Sequence, residues 1–469
     1  MTRYRCLNLT KIDRVRHFAS CSFGVVIATV VLASPAAAQR SAGPYAGILG
    51  GVDDATARQT LTVRGSASGV WDDIIADSTG DPDFDRRFLR SGLGGGASGS
   101  VSHALRSRRL DWQSSANSAF RLYGSDDSAR AVTFGAGSAV NAGLSSRVAF
   151  SSSANIAYSP YYRFGPALDD RLAVGGEFGG GFGVATAAER NLSADGTAGV
   201  TVRLSRRNTI DVDGHARRYD FLDQPDNSVT WIGGGAVYRR SLTSTLGVHG
   251  GFAREEARYD VAQAPNLTDD TLENLTNDTI DIGVDYGDTL EFTRRTSLSF
   301  STSTAAIRWR DETHWRLEGS ATLTRAFSRT MIGLLEFARD TEFTPGFREP
   351  LLTNTFTGGL SDQIGRRTSW SASAGYSRGS VGFDSNDGRG YDAYNAGGRL
   401  TLAVTRNLGL FTDYTYYRYE VPAGATVFTF LPKFSRQSVS VGLSVWKPVI
   451  NDTRPPRESG DARYPRRTR

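Results

Sequence analysis

A short basic turn recurs eight times along this chain, and its spacing constrains the fold more than any other feature. Each copy combines arginine with serine, threonine, glycine or asparagine, residues that are common in turns. Most intervals between copies are about 35–40 residues long, which accommodates two strands of roughly ten residues and one longer loop. The copies are residues 106–109, 145–147, 205–208, 239–241, 293–296, 328–330, 365–368 and 405–407.

The segments between these turns alternate between apolar and polar residues, which is the pattern of strands with one apolar face. In Ser438–Val445, valines and a leucine alternate with serines and a glycine. Ile210–Arg217 alternates small or apolar residues with charged ones. After residue 38 there is no apolar run of the length that a membrane-spanning helix needs, so a helical membrane protein is not expected.

Two strands before the first turn, two in each interval and two after the last turn predict 18 strands. Sixteen is the alternative, because the interval from Ser145 to Ser205 is long and Leu172–Thr186 is compatible with an extension hairpin inside its loop. Strands in lipid must close, because an open edge leaves backbone groups without hydrogen bonds. We therefore predict an all-β fold, a transmembrane antiparallel up-and-down β-barrel over residues 58–450.

The first 38 residues are typical of a cleaved secretory signal peptide. Five Lys or Arg residues precede a mostly apolar stretch from Phe18 to Ala33, and the small residues Ala36 and Ala38 favour cleavage before Gln39. Both cysteines lie in this segment, so no disulfide is expected in the exported chain. We expect the bacterial outer membrane as destination, with residues 39–57 as a short periplasmic segment.

The charge distribution argues against a nucleic-acid partner. The chain has 54 Lys and Arg against 49 Asp and Glu, and this excess lies in residues 1–38 and 451–469. The stretch between them is slightly acidic, which is not the charge pattern of a nucleic-acid-binding protein. Residues 451–469 form a basic Pro/Arg-rich tail, which is predicted to be periplasmic and to offer a docking segment to an acidic periplasmic partner.

The longer connections are predicted to face the cell exterior and the basic turns the periplasm. Acidic pairs are assigned to these connections, among them Asp72-Asp73, Asp126-Asp127, Asp169-Asp170, Glu255-Glu256 and Asp269-Asp270. Aromatic residues cluster near the expected ends of strands, where they are predicted to form a girdle at the level of the lipid headgroups. They are Tyr158, Tyr161, Tyr162, Trp231, Tyr414, Tyr416, Tyr417 and Tyr419.

The combination resembles large porin-like outer-membrane β-barrel proteins of Gram-negative bacteria. The resemblance rests on the alternating strands, the Arg-Arg turns, the aromatic segments Tyr158–Tyr162 and Tyr414–Tyr419, and the closing strand Val439–Trp446. It extends from about Thr60 to Ile450. It implies a barrel in contact with outer-membrane lipid and does not by itself imply an activity.

A barrel of 16 to 18 strands leaves an aqueous lumen unless a loop or plug fills it. Residues 39–57 are too few for a plug domain. Candidate lumen-lining residues are polar and mixed in sign: Arg203, Asp211, Asp213, His215, Arg217, Asp281, Asp285, Arg316 and Glu318. Because charges lining a pore tune which solutes cross, we predict a passive or weakly selective channel for small hydrophilic solutes. The alternative is a non-enzymatic accessory barrel of an envelope or polysaccharide-export system.

Neither catalysis nor metal binding is predicted. His314 lies near Asp311 and Glu312 at the expected outer rim, but a polar rim residue is the simpler interpretation. Residues 81–85 carry aspartates at the spacing of calcium ligands, yet Arg86 stands where an EF-hand loop needs glycine. We therefore expect no enzyme, no catalytic residue, no metal site and no cofactor.

Overall fold

The computed structural model describes residues 57–452 except 77–91, 124–129, 163–189, 224–227, 244–245, 260–273, 294, 310–311, 343, 345–346, 348, 384–389 and 423–432. The predicted signal peptide, the calcium-like spacing at residues 81–85, the hairpin at 172–186 and most of the basic tail lie outside the described residues. So do the acidic pairs at 126–127, 169–170 and 269–270.

Eighteen β-strands account for nearly all of the described chain. They are β1 (Gln59–Ala76), β2 (Gly92–Arg106), β3 (Leu110–Tyr123), β4 (Arg130–Gly143), β5 (Val148–Ser159), β6 (Asn191–Arg203), β7 (Asn208–Phe221), β8 (Val229–Ser241), β9 (Leu246–Tyr259), β10 (Asn274–Thr293), β11 (Thr296–Trp309), β12 (Glu312–Ala326), β13 (Ile332–Glu342), β14 (Leu351–Ile364), β15 (Thr368–Val381), β16 (Gly390–Ala403), β17 (Leu408–Glu420) and β18 (Lys433–Asp452).

The strands form a closed antiparallel ring. Each strand pairs with the next one along the chain, and β1 pairs with β18 from Gln59 opposite Asp452 to Ala76 opposite Phe434. The predicted all-β up-and-down barrel of 18 strands is confirmed, and the alternative of 16 strands is wrong. Strand β18 includes Asn451 and Asp452, so it runs two residues beyond the predicted barrel boundary. No helix in the described part of the chain is long and apolar enough to cross a membrane.

The recurrent basic segments mark the connections from each even-numbered strand to the next odd-numbered one, as their spacing predicts. The prediction is wrong in detail for 239–241, because these three residues are the end of β8 and the turn follows them. A hydroxyl group organises several of the turns: the Ser145 Oγ accepts hydrogen bonds from the backbone N–H groups of Arg147 and Val148 at 3.1 and 3.0 Å. Ser107, Ser205, Thr243, Ser328 and Thr405 play the same part in their turns. Such side-chain caps satisfy backbone donors that a tight turn leaves free. One turn instead uses Gly365, whose φ of 66° suits glycine.

Side-chain contacts between strands that are not paired with each other identify which face of the ring is the inside. The Arg121 guanidinium on β3 donates hydrogen bonds to Asp72 on β1 at 3.1 Å and to Ser438 on β18 at 3.2 Å. Strand β3 pairs with neither, so these side chains meet on the concave face. Directly paired residues of antiparallel strands point to the same face. The register therefore extends this assignment around the barrel.

The outer face is apolar along most of its height. Large exposed hydrophobic side chains occupy the positions that alternate with the inner ones, including Val101, Val212, Ile282, Leu317, Leu402, Val441 and Leu443. Strands of about 14 residues are longer than the 9–11 residues needed to cross a bilayer at a tilt, so their ends extend beyond the apolar band. An outer face of this kind suits a lipid environment.

The two faces of one strand should tolerate charge differently. Replacing Val441, which is 58% exposed on the outer face, by arginine should destabilise the folded barrel in lipid by about 2–4 kcal/mol. The neighbouring change Ser440→Arg points into the lumen beside Asp413 and should cost far less. Urea unfolding in lipid vesicles, followed by tryptophan fluorescence, compares the two; equal losses would contradict the assignment of faces.

Candidate functional site: the lumen wall

All nine predicted lumen residues lie on strands whose register is described, and all occupy the inner face. Asp211, His215 and Arg217 on β7 sit opposite Thr201, Thr197 and Asp195 of β6. The other members are Arg203 at the turn end of β6, Asp213 on β7, Asp281 and Asp285 on β10, and Arg316 and Glu318 on β12.

The structure joins Asp211, Asp281 and Asp285 into one network with two residues that the sequence prediction missed. The Arg239 guanidinium pairs with Asp211, and its Nε lies 3.8 Å from Asp285. His249, whose side chain is 5% exposed, faces a carboxylate with each ring nitrogen: Nδ1 is 2.8 Å from Asp285 and Nε2 is 3.1 Å from Asp281. A neutral imidazole donates from one nitrogen only, so only the protonated ring donates to both carboxylates.

Three of the remaining predicted residues make separate contacts. His215 lies 3.3 Å from Glu255, and the Thr341 hydroxyl donates to Glu318 at 2.8 Å. Arg316 donates to the backbone oxygen of Thr353 at 3.3 Å, across the intervening strand β13. The sequence prediction missed Arg239 and His249 because the alternation around them is interrupted by glycines and by a basic turn, which hides their inward face.

The described inner wall has two sectors of different character. The charged sector spans β7–β13, where acidic side chains outnumber arginines: Asp211, Asp213, Glu255, Asp281, Asp285, Glu318, Glu336 and Asp340 stand against Arg217, Arg239 and Arg316. The hydroxyl sector spans β14–β18 and β1–β6, and its inner face is mostly serine, threonine, asparagine and glycine. Ser66 and Ser98, for example, join by a 2.7 Å hydrogen bond. The lumen is therefore more negative on one side than on the other.

A packed layer of aromatic side chains narrows the loop end of the lumen. Its fully buried members, called the loop-end layer here, are Tyr162, Phe221, Tyr391, Tyr417, Tyr419 and Phe434. Tyr417, Tyr419 and Phe434 form a continuous stack, with ring centroids 5.7 and 5.5 Å apart. In a lumen filled by water, inward side chains of this size would be exposed, so their burial marks a constriction.

The chain turns inward after β5 to reach this layer. The Ser159 hydroxyl donates to the backbone oxygen of Tyr161 at 2.7 Å, and the Asn191 amide donates to the same oxygen at 3.0 Å. The next residue, Tyr162, packs on Tyr219 and Phe221 of β7 with centroids 6.4 and 6.0 Å apart. Burial raises the pKa of the Tyr161 phenol above its usual value, while nearby arginines oppose the shift.

The predicted lipid-facing girdle is wrong for several of its members. Tyr162, Trp231, Tyr417 and Tyr419 point into the barrel and are 0–2% exposed. Tyr158 and Tyr414 do lie on the outer face, Tyr158 stacking on Phe134 at 5.4 Å. Strand alternation places neighbours on opposite faces, so a run such as Tyr414–Tyr419 necessarily divides between lipid and lumen.

Two acidic pairs assigned to loops lie in strands. Glu255-Glu256 belongs to β9, where Glu255 faces the lumen, and Asp72-Asp73 belongs to β1. Asp72 is fully buried between Arg121 at 3.0 Å and Arg436 at 3.1 Å. The compensation of its charge comes from β3 and β18, which are distant in sequence, so local composition could not reveal it.

Neither a catalytic nor a metal centre emerges from the described residues. His314 lies at the loop end of β12, stacked on Phe383 at 4.1 Å, with Glu312 3.7 Å away. The sequence Gly375–Gly379 fits a Gly-x-Ser-x-Gly pattern, but it lies within β15, and its Ser377 contacts Thr355 and Tyr391. Among the residues that the structure describes, no group of three His, Asp or Glu side chains is arranged to hold a metal ion.

No protein-family model matches the sequence, and no curated protein shows significant sequence similarity to it. Solved structures with similar architecture include a mutant ferric enterobactin receptor from Pseudomonas aeruginosa in complex with enterobactin, at 7% identity over 82% of this chain and 81% of that one, with a TM-score of 0.41. Another is OccAB4 from Acinetobacter baumannii, at 10% identity over 83% and 98% of the two chains, with a TM-score of 0.38. OpdQ from P. aeruginosa has 8% identity over 84% and 98%, also with a TM-score of 0.38. Sequence identity this low says nothing about activity or ligand. The resemblance to porin-like barrels concerns the architecture, and that architecture is established by the strand pairing.

Loss of the buried Asp72 carboxylate should lower the free energy of unfolding more than loss of the neighbouring Asp73 carboxylate. Asp72→Asn leaves Arg121 and Arg436 buried without their shared counter-charge, and loss of one partner from a buried ion pair costs about 3–5 kcal/mol. Asp73→Asn changes an outward-facing side chain that contacts Gln437 and should be nearly neutral. The urea midpoint of each refolded variant measures the difference. Similar midpoints would show that the Asp72 cluster is not a stabilising element.

Proposed function

We propose that this chain is a bacterial outer-membrane channel, constricted at its loop end and passing small hydrophilic solutes with a preference for cations. The observation that carries the proposal is the charged sector: acidic side chains in excess of arginines line one wall of a closed barrel. Charge of one sign along a narrow passage raises the local concentration of ions of the opposite sign. The apolar outer face and the N-terminal signal pattern support the membrane location.

The proposal includes export through cleavage after Ala38 and assembly in outer-membrane lipid. N-terminal sequencing of the protein recovered from outer membranes tests both points together. The solute class follows from the wall, since carboxylates, hydroxyls and amides offer hydrogen bonds to polar molecules. The channel of the proposal carries out no chemical reaction and uses no cofactor.

The second candidate is an accessory barrel without channel activity, acting in an envelope or polysaccharide-export system. The loop-end layer is the observation that favours it, because fully buried tyrosines leave little room for solutes at that end. Under this alternative, the basic tail recruits an acidic periplasmic partner. Retention of such a partner by the full chain, and its loss on deletion of residues 453–469, would support the accessory function.

The charged sector should set ion preference. In planar bilayers with a salt gradient, the refolded protein should show a reversal potential of the sign for cations, and the double change Asp281→Asn with Asp285→Asn should move it towards zero. Asp278→Asn is the matched control, since this residue lies on the same strand but faces outward beside Arg254. A reversal potential that is unchanged by the lumen variant would refute the role of this sector.

The loop-end layer should limit conductance. Tyr419→Ala removes a fully buried ring and should increase the single-channel conductance several-fold, whereas Tyr414→Ala removes an outward ring that is 42% exposed and should leave it unchanged. A correctly folded wild-type barrel that never conducts, and that stays silent after Tyr419→Ala, would favour the accessory function instead.

A further inference from the structure

A concave apolar groove lies on the outer face of β11–β17. The strand register aligns the outward residues of this groove in rows that run across the strands. Phe337, Phe356, Tyr376 and Tyr394 are paired in succession across β13–β16 and form an aromatic row on its loop side. The next row towards the turn end holds Leu335, Gly358, Ala374 and Ala396. The small side chains of this second row leave a depression beneath the rings, which we call the exterior groove.

The exterior groove has the size of a ligand site. Its volume is about 710 Å³, and small-molecule sites occupy about 300–1,000 Å³. Tyr416 closes its far side on β17. The aromatic row is held by direct ring contacts: Phe337 and Phe356 lie 4.7 Å apart, and Tyr376 stacks on Tyr394 at 4.8 Å. The groove is therefore elongated and walled on one side by rings.

Arginines border the groove on its loop side. Arg339 on β13 and Arg378 on β15 occupy the row beyond the aromatic one, and Arg418 on β17 is paired with Tyr394. Alternate strands are about 10 Å apart, so the long side chains of Arg378 on β15 and Arg418 on β17 can reach one phosphate, whereas Arg339 on β13 lies about 20 Å from Arg418. Arg378 is 72% exposed and lies 3.9 Å from Asp392. Within the described residues, no carboxylate lies within 4.0 Å of Arg339 or Arg418.

The opposite wall of the barrel lacks this arrangement. Its outward arginines near the loop end are paired with acids: Arg218 with Asp220 at 2.8 Å, Arg254 with Asp278 at 3.7 Å, and Arg258 with Glu256 at 2.9 Å. The outer face is therefore asymmetric. On β13–β17 an apolar groove adjoins three arginines, of which only Arg378 lies within 4.0 Å of a carboxylate of the described residues. This surface is complementary to a ligand with an acyl chain and an anionic head.

We propose that the exterior groove binds one acyl chain of a phosphate-bearing membrane lipid, whose phosphate is held by Arg378 and Arg418. The inference rests on the proposed membrane location but not on channel activity. Guanidinium groups bind phosphate through paired, charge-assisted hydrogen bonds. In a bilayer every acyl chain is already in an apolar medium, so the groove supplies shape and ring contacts, whereas the arginines supply the preference among lipids.

Native mass spectrometry of the folded full chain tests the proposal, with phosphatidic acid and phosphatidylcholine of identical acyl chains as probes. Wild type should retain one phosphatidic acid at least tenfold more tightly than phosphatidylcholine. The double change Arg378→Gln with Arg418→Gln should abolish that preference, whereas Arg254→Gln on the opposite wall should preserve it. Ala374→Leu fills the groove and should weaken retention of both lipids; Ala372→Leu, on the same face outside the groove, should not.

Each other outcome overturns the lipid site. Equal retention of both lipids would show ordinary solvation by lipid, and retention unaffected by Ala374→Leu would place any lipid elsewhere. A second copy of the chain bound in place of lipid, and lost with Ala374→Leu, would make the groove a subunit contact. Conductance is measured on the same samples. A barrel that does not conduct but prefers phosphatidic acid would refute the proposed channel and leave the lipid site standing. A barrel that conducts but shows no preference between the lipids would refute the lipid site and leave the channel standing.

Discussion

The pairing of β1 with β18 is the interaction on which the rest of this structure depends. A strand at an open edge would present unsatisfied N–H and C=O groups to lipid, each at a cost of several kcal/mol. The ladder between the two strands runs with one irregularity, a register shift between Leu61 and Thr62 opposite Pro448. Proline has no N–H to donate, and such shifts are found at sheet edges and the rims of barrels. Here it lies near the turn end, beyond most of the apolar band.

Closure of the ring gives the two alternating faces of each strand two different environments. Once the ring is closed, every second residue faces either lipid or lumen, and each environment selects its own chemistry. An 18-strand ring is too wide to be filled by ordinary side chains. Among the residues that the structure describes, the hydroxyl and charged sectors line this interior, and aromatic residues from β7, β16, β17 and β18 pack together at its loop end. The outer face carries a similar asymmetry, since large rings and small residues occupy successive rows on β13–β16.

Features that repeat locally could be predicted from the sequence, and features made by distant partners could not. The turns and the alternation are local, so the strand number and the inward face of Asp211–Arg217 follow from them. The burial of Tyr419 depends on Phe434 of β18 and on Tyr162, which comes from the segment after β5. Alternation alone reveals only that Tyr417 and Tyr419 share a face. Asp72 appears loop-like for the same reason, because its partners lie on β3 and β18. Arg239 and His249 become a cluster only when β7–β10 are placed side by side.

The seam and the constriction share residues, and this limits how the barrel can open. Asp72 belongs to β1 and Arg436 to β18, so their ion pair bridges the closing strands at the loop end, and Arg121 ties β3 to both. Tyr417, a member of the loop-end layer, is the residue of β17 that pairs directly with Arg436 of β18. Any movement that separated this cluster would loosen the ladder that keeps the barrel closed in lipid. Tyr162 adds ring contacts to β7, which can be displaced without breaking a strand pairing. The adjoining Tyr161 lies close enough to Arg436, Arg121 and Asp72 to feel their charges, so this segment also belongs to the seam side of the constriction. We therefore expect the channel of our proposal to pass solutes along the charged sector, away from the seam, while the residues next to the seam stay fixed.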